Sequence, residues 1–164
     1  MHKIDILLAT YNGEKYLAQQ LDSILNQSYQ DFIIRIHDDN SIDGTIDIIK
    51  KYQMRYPEKI KYLDDNISTG SAKNNFEYLL NKSDAQYIMF SDQDDIWLQN
   101  KIELSIEKII NIEKTSKNMP VLIYSDLYIV DESLNVIHNS MLNLNFHDYK
   151  KDSIYKLMLG NYIT

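Results

Sequence analysis

The sequence contains no cysteine and only four glycines, and each shortage excludes a class of protein. Without cysteine there is no disulfide framework, no thiolate metal site and no cysteine nucleophile, which fits a reducing compartment such as the cytoplasm. The glycines stand at positions 13, 44, 70 and 160, so the chain holds neither a G-x-G-x-x-G fingerprint nor a Walker phosphate loop. Any phosphate group must therefore be held by other means.

The chain also lacks long apolar runs and an excess of basic charge. Nowhere do about 18 apolar residues occur in a row, so the sequence predicts no membrane-spanning helix and leaves peripheral contact with the inner face of a membrane open. Because 24 acidic residues oppose 17 basic ones, without a basic cluster, a nucleic-acid-binding surface is excluded. The four histidines lack the H-E-x-x-H spacing of zinc hydrolases, and we expect each to be structural or exposed.

What the chain does have is a regular alternation of short Ile-rich runs and amphipathic stretches. Its 164 residues are enough for one domain. The pattern predicts strands at 4–9, 32–37, 60–63, 87–91 and 121–130, helices at 13–27, 45–56, 71–80, 98–114 and 153–159, and a turn at 131–135. The helix at 71–80 is expected to turn Phe76, Leu79 and Leu80 inward. Such a series is typical of a parallel sheet covered by helices.

Polar clusters follow each of the first four predicted strands, at 10–12, 38–41, 64–66 and 92–95. Since parallel strands end at one edge of a sheet, we expect all four clusters to lie together there, where such folds bind ligands. The last cluster places three carboxylates in four positions, and a divalent cation readily neutralises such crowding. Asp94 gripping Mg²⁺ or Mn²⁺ would hold two phosphate oxygens; the alternative is a solvated acidic turn.

Three motifs resemble the family 2 glycosyltransferases of the GT-A fold: ILLATYNG at 6–13, DDNSIDGT at 38–45 and FSDQDDIW at 90–97. The form of the third motif, followed by IYSD at 123–126 and VDE at 130–132, looks most like the bacterial rhamnosyltransferase-like branch. The resemblance implies an α/β three-layer sandwich with a mainly parallel central sheet. It also implies metal-dependent, inverting transfer of a sugar, with rhamnose a candidate, from a UDP- or dTDP-sugar to a surface polysaccharide or lipid-linked acceptor.

Carried over position by position, the resemblance assigns roles around a nucleotide. The nucleotide-binding residues would be Ala9, Thr10, Tyr11, Asp38, Asp39, Lys73 and Asp92, and the metal-binding residues Asp94 and Asp95. Tyr11 would lie against the base, Asp39 would accept the N3–H of uracil or thymine, and Asp92 would face the ribose. Asp94 would hold Mn²⁺ or Mg²⁺, and Asp95 would join through water.

Some of these assignments have structural alternatives. Tyr11 could instead pack a helix, and Asp38 could serve only its own turn. Lys73 stands where many relatives carry arginine, and lysine has no bidentate fork for a phosphate.

The catalytic base of the resembled family normally lies well beyond the metal motif. We therefore expect residues 1–164 to form a single nucleotide-sugar-binding domain, the donor half of a longer enzyme, with the base beyond Thr164. The alternative is a nucleotide-sugar-binding module without turnover.

Overall fold

A computed structural model describes residues 3–116 and 119–144 of the chain. The chain divides into two compact units, Met1–Ile106 and Glu107–Thr164. The helix predicted at 153–159 lies outside the described residues. Within the described ranges, no helix is long and apolar enough to cross a membrane.

The first unit is built around a four-stranded parallel sheet. Its elements in chain order are β1 Ile4–Thr10, α1 Leu17–Leu25, β2 Phe32–Asp38, α2 Thr45–Arg55, β3 Ile60–Tyr62, α3 Ala72–Asn81, β4 Tyr87–Ser91 and α4 Lys101–Glu113, the last of which continues past residue 106. The spatial order is β3-β2-β1-β4, and Ile4 pairs with Phe32 on one side and Tyr87 on the other. The predicted parallel α/β sheet is confirmed.

The core lies on both faces of β1, which is buried at all seven positions. A strand in the middle of a parallel sheet is covered by helices on both faces, which explains why five of its seven residues are apolar instead of every second one. On α1, Leu17, Leu21 and Ile24 are fully buried at helical spacing, so one stripe of the helix packs onto the sheet. Residues 13–16 form a turn, and α1 begins four residues later than predicted.

The chain turns sharply after each of the first three strands, at an asparagine with left-handed backbone. Asn12, Asn40 and Asn66 have φ of 48°, 62° and 57°. Asparagine adopts this conformation more readily than other residues with a Cβ. Because β1 to β4 are parallel, their polar clusters meet at the carboxyl edge of the sheet, as the sequence predicts.

In the second unit, a two-stranded antiparallel sheet pairs β5 Ile129–Val130 with β6 Val136–His138, and α5 spans Met141–Leu144. The predicted turn at 131–135 is confirmed by the hydrogen bond from the Asp131 N–H to the Asn135 carbonyl, 3.0 Å. The predicted strand at 121–130 is wrong over 121–128, which is irregular. Strand propensity is realised only where a neighbouring strand completes the ladder, and here β6 reaches only the last two residues.

The inward face of α3 also differs from the prediction. Leu79 is fully buried, whereas Leu80 is 43% exposed. The other buried residue is Asn75, four positions before Leu79 and therefore on the same face of the helix. The polar side chain of Asn75 is thus buried against the sheet, at a position where the apolar pattern of α3 does not predict a buried residue.

Candidate functional site

A cleft of about 570 Å³ opens at the carboxyl edge of the sheet, beyond the ends of β1, β2 and β4. Six of the predicted site residues line it: Ala9, Thr10, Tyr11, Asp39, Asp92 and Asp94. Asp38, Lys73 and Asp95 are not on its wall. Its remaining wall comes mainly from the segment between β3 and α3 and from Asn75 and Gln93, which the sequence did not single out.

Asp39 faces the segment that precedes α3. Its carboxylate accepts hydrogen bonds from the backbone N–H groups of Thr69 and Gly70, the latter at 2.9 Å from Oδ2, and from the Ser68 hydroxyl at 3.3 Å. Gly70 has φ of 78°, a conformation that glycine adopts without strain. The Asp39 charge therefore holds one side of the cleft together.

Asp38, by contrast, is directed into its own turn. Its carboxylate is buried and accepts from the Thr10 hydroxyl at 2.8 Å, the Ser41 N–H at 2.7 Å and the Ser41 hydroxyl at 2.6 Å. These three bonds tie the end of β1 to the loop after β2. The side chain thus shapes the loop that presents Asp39.

The acidic loop after β4 concentrates negative charge at the cleft. Partial desolvation, and then the neighbouring charge of Asp94, raise the pKa of Asp92 above its ordinary value. The pKa of Asp95 is raised by desolvation and by Asp92 and Asp94, with Lys101 opposing the shift. Both shifts mean that ionising these groups together costs free energy.

A cation at this loop would need more ligands than the described side chains bring together. Among the residues that the structure describes, no three histidine or carboxylate side chains converge on one point. Asp94 is exposed on the cleft wall and offers hard carboxylate oxygens, which suit Mg²⁺ or Mn²⁺. The donor set therefore fits a cation whose other ligands are phosphate oxygens and water.

A buried glutamine fixes the acidic loop from below. Gln20 on α1 is fully buried, and its amide is oriented so that Oε1 accepts from the Ser91 hydroxyl at 2.6 Å and from the Trp97 indole at 3.2 Å. Its nitrogen donates to the Ser23 hydroxyl at 2.8 Å and to the carbonyl of Asp95. The two ends of the loop are thus anchored to one side chain, which sequence periodicity could not single out.

A second buried network lies behind Asp38 and Asp39. His37 is fully buried, with Nδ1 2.8 Å from Asn75 Oδ1, while Asn75 Nδ2 donates to the His37 carbonyl at 3.2 Å. His37 Nε2 lies 3.4 Å from Asp65, and the ring contacts Tyr78. Burial raises the pKa of Asp65, but the hydrogen bonds from Tyr78 and from a backbone N–H, together with His37, outweigh it and lower the pKa overall. This network joins the end of β2 to α3.

Comparison with known protein families matches residues 5–127 to Glycosyl transferase family 2. The dTDP-rhamnosyl transferase RfbG of Shigella flexneri is 42% identical over 106 residues, which are 63% of this chain and 37% of RfbG. Glycosyltransferase GlyA of Streptococcus pneumoniae is 26% identical over 153 residues, 93% of this chain and 20% of GlyA. The matched part of the chain thus spans 37% of the length of RfbG and 20% of that of GlyA.

Solved structures agree with the fold. S. aureus TarS 1–349 in complex with UDP superimposes with a TM-score of 0.56 at 20% identity, covering 78% of this chain and 41% of TarS 1–349. Mannosyltransferase PcManGT from Pyrobaculum calidifontis in complex with GDP-Man and Mn²⁺ gives 0.51 at 20% identity, covering 57% and 28%. The likeness confirms the predicted GT-A fold. With the match over residues 5–127 and the identity to a dTDP-rhamnosyl transferase, the chain belongs to glycosyl transferase family 2 and resembles its rhamnosyltransferase-like branch.

Proposed function

We propose that this chain is the donor-binding part of a metal-dependent, inverting glycosyltransferase that uses a UDP- or dTDP-sugar. The observation that carries the proposal is the cleft at the carboxyl edge of the sheet. Tyr11, Asp39, Asp92 and Asp94 all line this one cleft. The similarity to a dTDP-rhamnosyl transferase supports dTDP-rhamnose as the first donor to test. The complexes of TarS with UDP and of PcManGT with GDP-Man support a nucleotide donor more generally.

In the proposed complex the base lies between the loop after β1 and the loop after β2. Tyr11 is 57% exposed, so its ring is free to cover the flat face of a base. Asp39 accepts the N3–H of uracil or thymine alongside the backbone donors that it already holds. Ala9 and Thr10 supply backbone groups to the base, Asp38 shapes the loop, and Asp92 faces the ribose. Lys73 is exposed on α3, and any phosphate contact from it is a point charge only.

The diphosphate lies over the acidic loop in this proposal. Asp94 supplies a first ligand for Mn²⁺ or Mg²⁺, and Asp95 joins through water. When bound, the cation supplies electrostatic stabilisation of the diphosphate as leaving group. Its charge also relieves the mutual repulsion that raises the pKa values of Asp92 and Asp95.

The catalytic base is not assigned to the described part of the chain. Asp126 accepts hydrogen bonds from the backbone N–H groups of Leu127 and Leu142, and Asp131 from those of Ser133 and Asn135. Desolvation raises the pKa of Asp126, but hydrogen bonds from Ser140 and from backbone N–H groups outweigh it and lower the pKa overall. Hydrogen bonds from Asn135 lower the pKa of Asp131, so both carboxylates are already engaged. We propose that the base, and the site for a saccharide or lipid-linked acceptor at the inner face of the membrane, belong to residues beyond Thr164.

Base selectivity tests the proposal directly. Calorimetry with UDP, dTDP and CDP in the presence of Mn²⁺ should show that UDP and dTDP bind tighter than CDP by about 1 to 3 kcal/mol, because cytosine presents an acceptor to Asp39. EDTA should abolish the tight binding. Equal affinities for the three nucleotides, unaffected by EDTA, would refute the proposed site. Acceptor-dependent sugar release by residues 1–164 alone would instead place the base within this chain.

A further inference from the structure

One side chain spans the gap between the two loops that the proposed function assigns to the base and to the metal. Gln93 lies between Asp92 and Asp94, and its amide is paired with the backbone of Tyr11 on the other loop. The Tyr11 N–H donates to Gln93 Oε1 at 2.9 Å, and Gln93 Nε2 donates to the Tyr11 carbonyl at 3.0 Å. An amide that uses both its donor and its acceptor on the backbone of one residue fixes orientation as well as distance.

Gly13 provides the space that this pairing needs. A Cβ added at Gly13 would come within 2.3 Å of Gln93 Oε1 and 2.6 Å of its Cδ. Residue 13 has an ordinary backbone, so the need for glycine here comes from the approach of Gln93 and not from φ. The absence of a side chain at 13 and the amide at 93 are therefore two parts of one contact.

We propose that Gln93 is a positioning residue that sets the distance between the base-binding loop and the metal-binding loop. The inference rests on the proposed function. A nucleoside diphosphate would contact the loop of Tyr11 through its base and the loop of Asp94 through its cation-bound phosphates. Because Gln93 joins the two loops before the ligand binds, a ligand held at one loop is already correctly placed for the other. Less conformational entropy of the loops is then lost on binding.

Such a role makes a quantitative prediction about metal and nucleotide together. In Gln93→Ala, each loop keeps its own ligand contacts, but the loops are no longer in register. The factor by which Mn²⁺ increases UDP affinity should therefore fall about tenfold, the size expected from two hydrogen bonds. A merely structural side chain would lower stability without changing this factor.

The test is a double-mutant cycle on Gln93→Ala and Gly13→Ala, with UDP affinity measured by calorimetry with and without Mn²⁺. Gly13→Ala should displace the Gln93 amide and reproduce the loss. In the Gln93→Ala background the same substitution meets no amide, so the double variant should lose no more than either single variant. Gln19→Ala, at an exposed glutamine of α1, serves as the matched control and should leave the factor unchanged.

Losses that add in the double variant would overturn the positioning role, as would an unchanged Mn²⁺ factor in Gln93→Ala while the unaltered chain binds UDP. If the unaltered chain binds no nucleotide with Mn²⁺, the proposed function fails and the positioning role fails with it. The two failures are thus distinguishable, since only the second removes binding from the unaltered chain.

Discussion

Substitution of Asn75 by alanine should destabilise the first unit well beyond the usual cost of an asparagine on a helix. The side chain is 2% exposed and makes two hydrogen bonds to one residue, His37, through the ring nitrogen Nδ1 and the backbone carbonyl. His37 is itself fully buried, and its other ring nitrogen, Nε2, makes no hydrogen bond to any described residue, although it lies 3.4 Å from the Asp65 carboxylate. Alanine at position 75 would therefore leave a further buried polar atom, His37 Nδ1, without its partner, and would remove one hydrogen bond from the His37 carbonyl, which keeps the Thr10 hydroxyl at 3.5 Å.

The expected loss is the cost of the unpaired ring nitrogen plus the net contribution of the hydrogen bond lost at the carbonyl, which is about 0.5 to 1.5 kcal/mol. An unsatisfied buried donor or acceptor costs about 1 to 3 kcal/mol. Allowing for partial relaxation around the smaller side chain, we expect Asn75→Ala to lower the free energy of unfolding by about 2 to 4 kcal/mol. For a chain of this size that corresponds to a fall in Tm of roughly 6 to 12 °C.

Urea denaturation followed by circular dichroism measures this loss, and the neighbouring residue supplies the control. Asn74 is exposed on the same helix and donates to the Thr69 carbonyl at 2.9 Å. Asn74→Ala should cost less than about 1 kcal/mol. If the two variants unfold at the same urea concentration, the buried His37–Asn75 pair contributes nothing particular and the reasoning is refuted.

Two other substitutions test the acidic loop and the helix layer. Asp94→Asn should abolish the increase in Tm that UDP with Mn²⁺ produces. The Tm without metal should stay level or rise, because the substitution relieves the repulsion on Asp92. A large fall in the metal-free Tm, with the response to UDP and Mn²⁺ intact, would show that Asp94 has a structural role instead. Tyr52 bridges α2 to Asp22 of α1, and burial followed by that hydrogen bond raises its pKa to about 12. The folded state therefore retains the Tyr52 proton above pH 10, and its stabilising contribution is complete below that pH and lost as pH rises through about 12. Urea denaturation across this range should show a steeper decline for the unaltered chain than for Tyr52→Phe, and parallel declines would contradict the assignment.

The sequence was sufficient to predict the parallel sheet and the carboxyl edge where the polar clusters meet, because both follow from the local pattern of apolar and polar residues. Four apolar runs separated by helix-length amphipathic stretches leave little alternative to parallel strands, and parallel strands gather their end loops at one edge. The prediction failed where a strand needs a partner, at 121–128, because apolar composition favours extended backbone without specifying what it pairs with.

Within the site, the sequence indicates which residues have the right chemistry but not which way each points. Asp38 and Asp39 are adjacent and identical, yet one serves its own turn and the other lines the cleft. Gln20, Asn75 and Gln93 were missed because an amide in a helix or loop is ordinarily solvated. The one residue that could have pointed to Gln93 is Gly13, a glycine that follows larger residues in its motif. The reason for this glycine is the approach of the Gln93 side chain, 80 positions away, which the sequence does not show.

β1 is the first strand of the sheet to be synthesised, and one of its two neighbours, β4, is the last. β1 pairs with β2 about 28 residues further along the chain, but its other edge is completed only by β4, about 83 residues away. At a synthesis rate of roughly 5 to 20 residues per second, that edge stays open for roughly 4 to 17 seconds after β1 is made. Because five of the seven residues of β1 are apolar and all seven are buried in the folded chain, a nascent chain ending before Tyr87 exposes a complete strand edge to other chains, and chaperone occupancy during translation should concentrate in that interval.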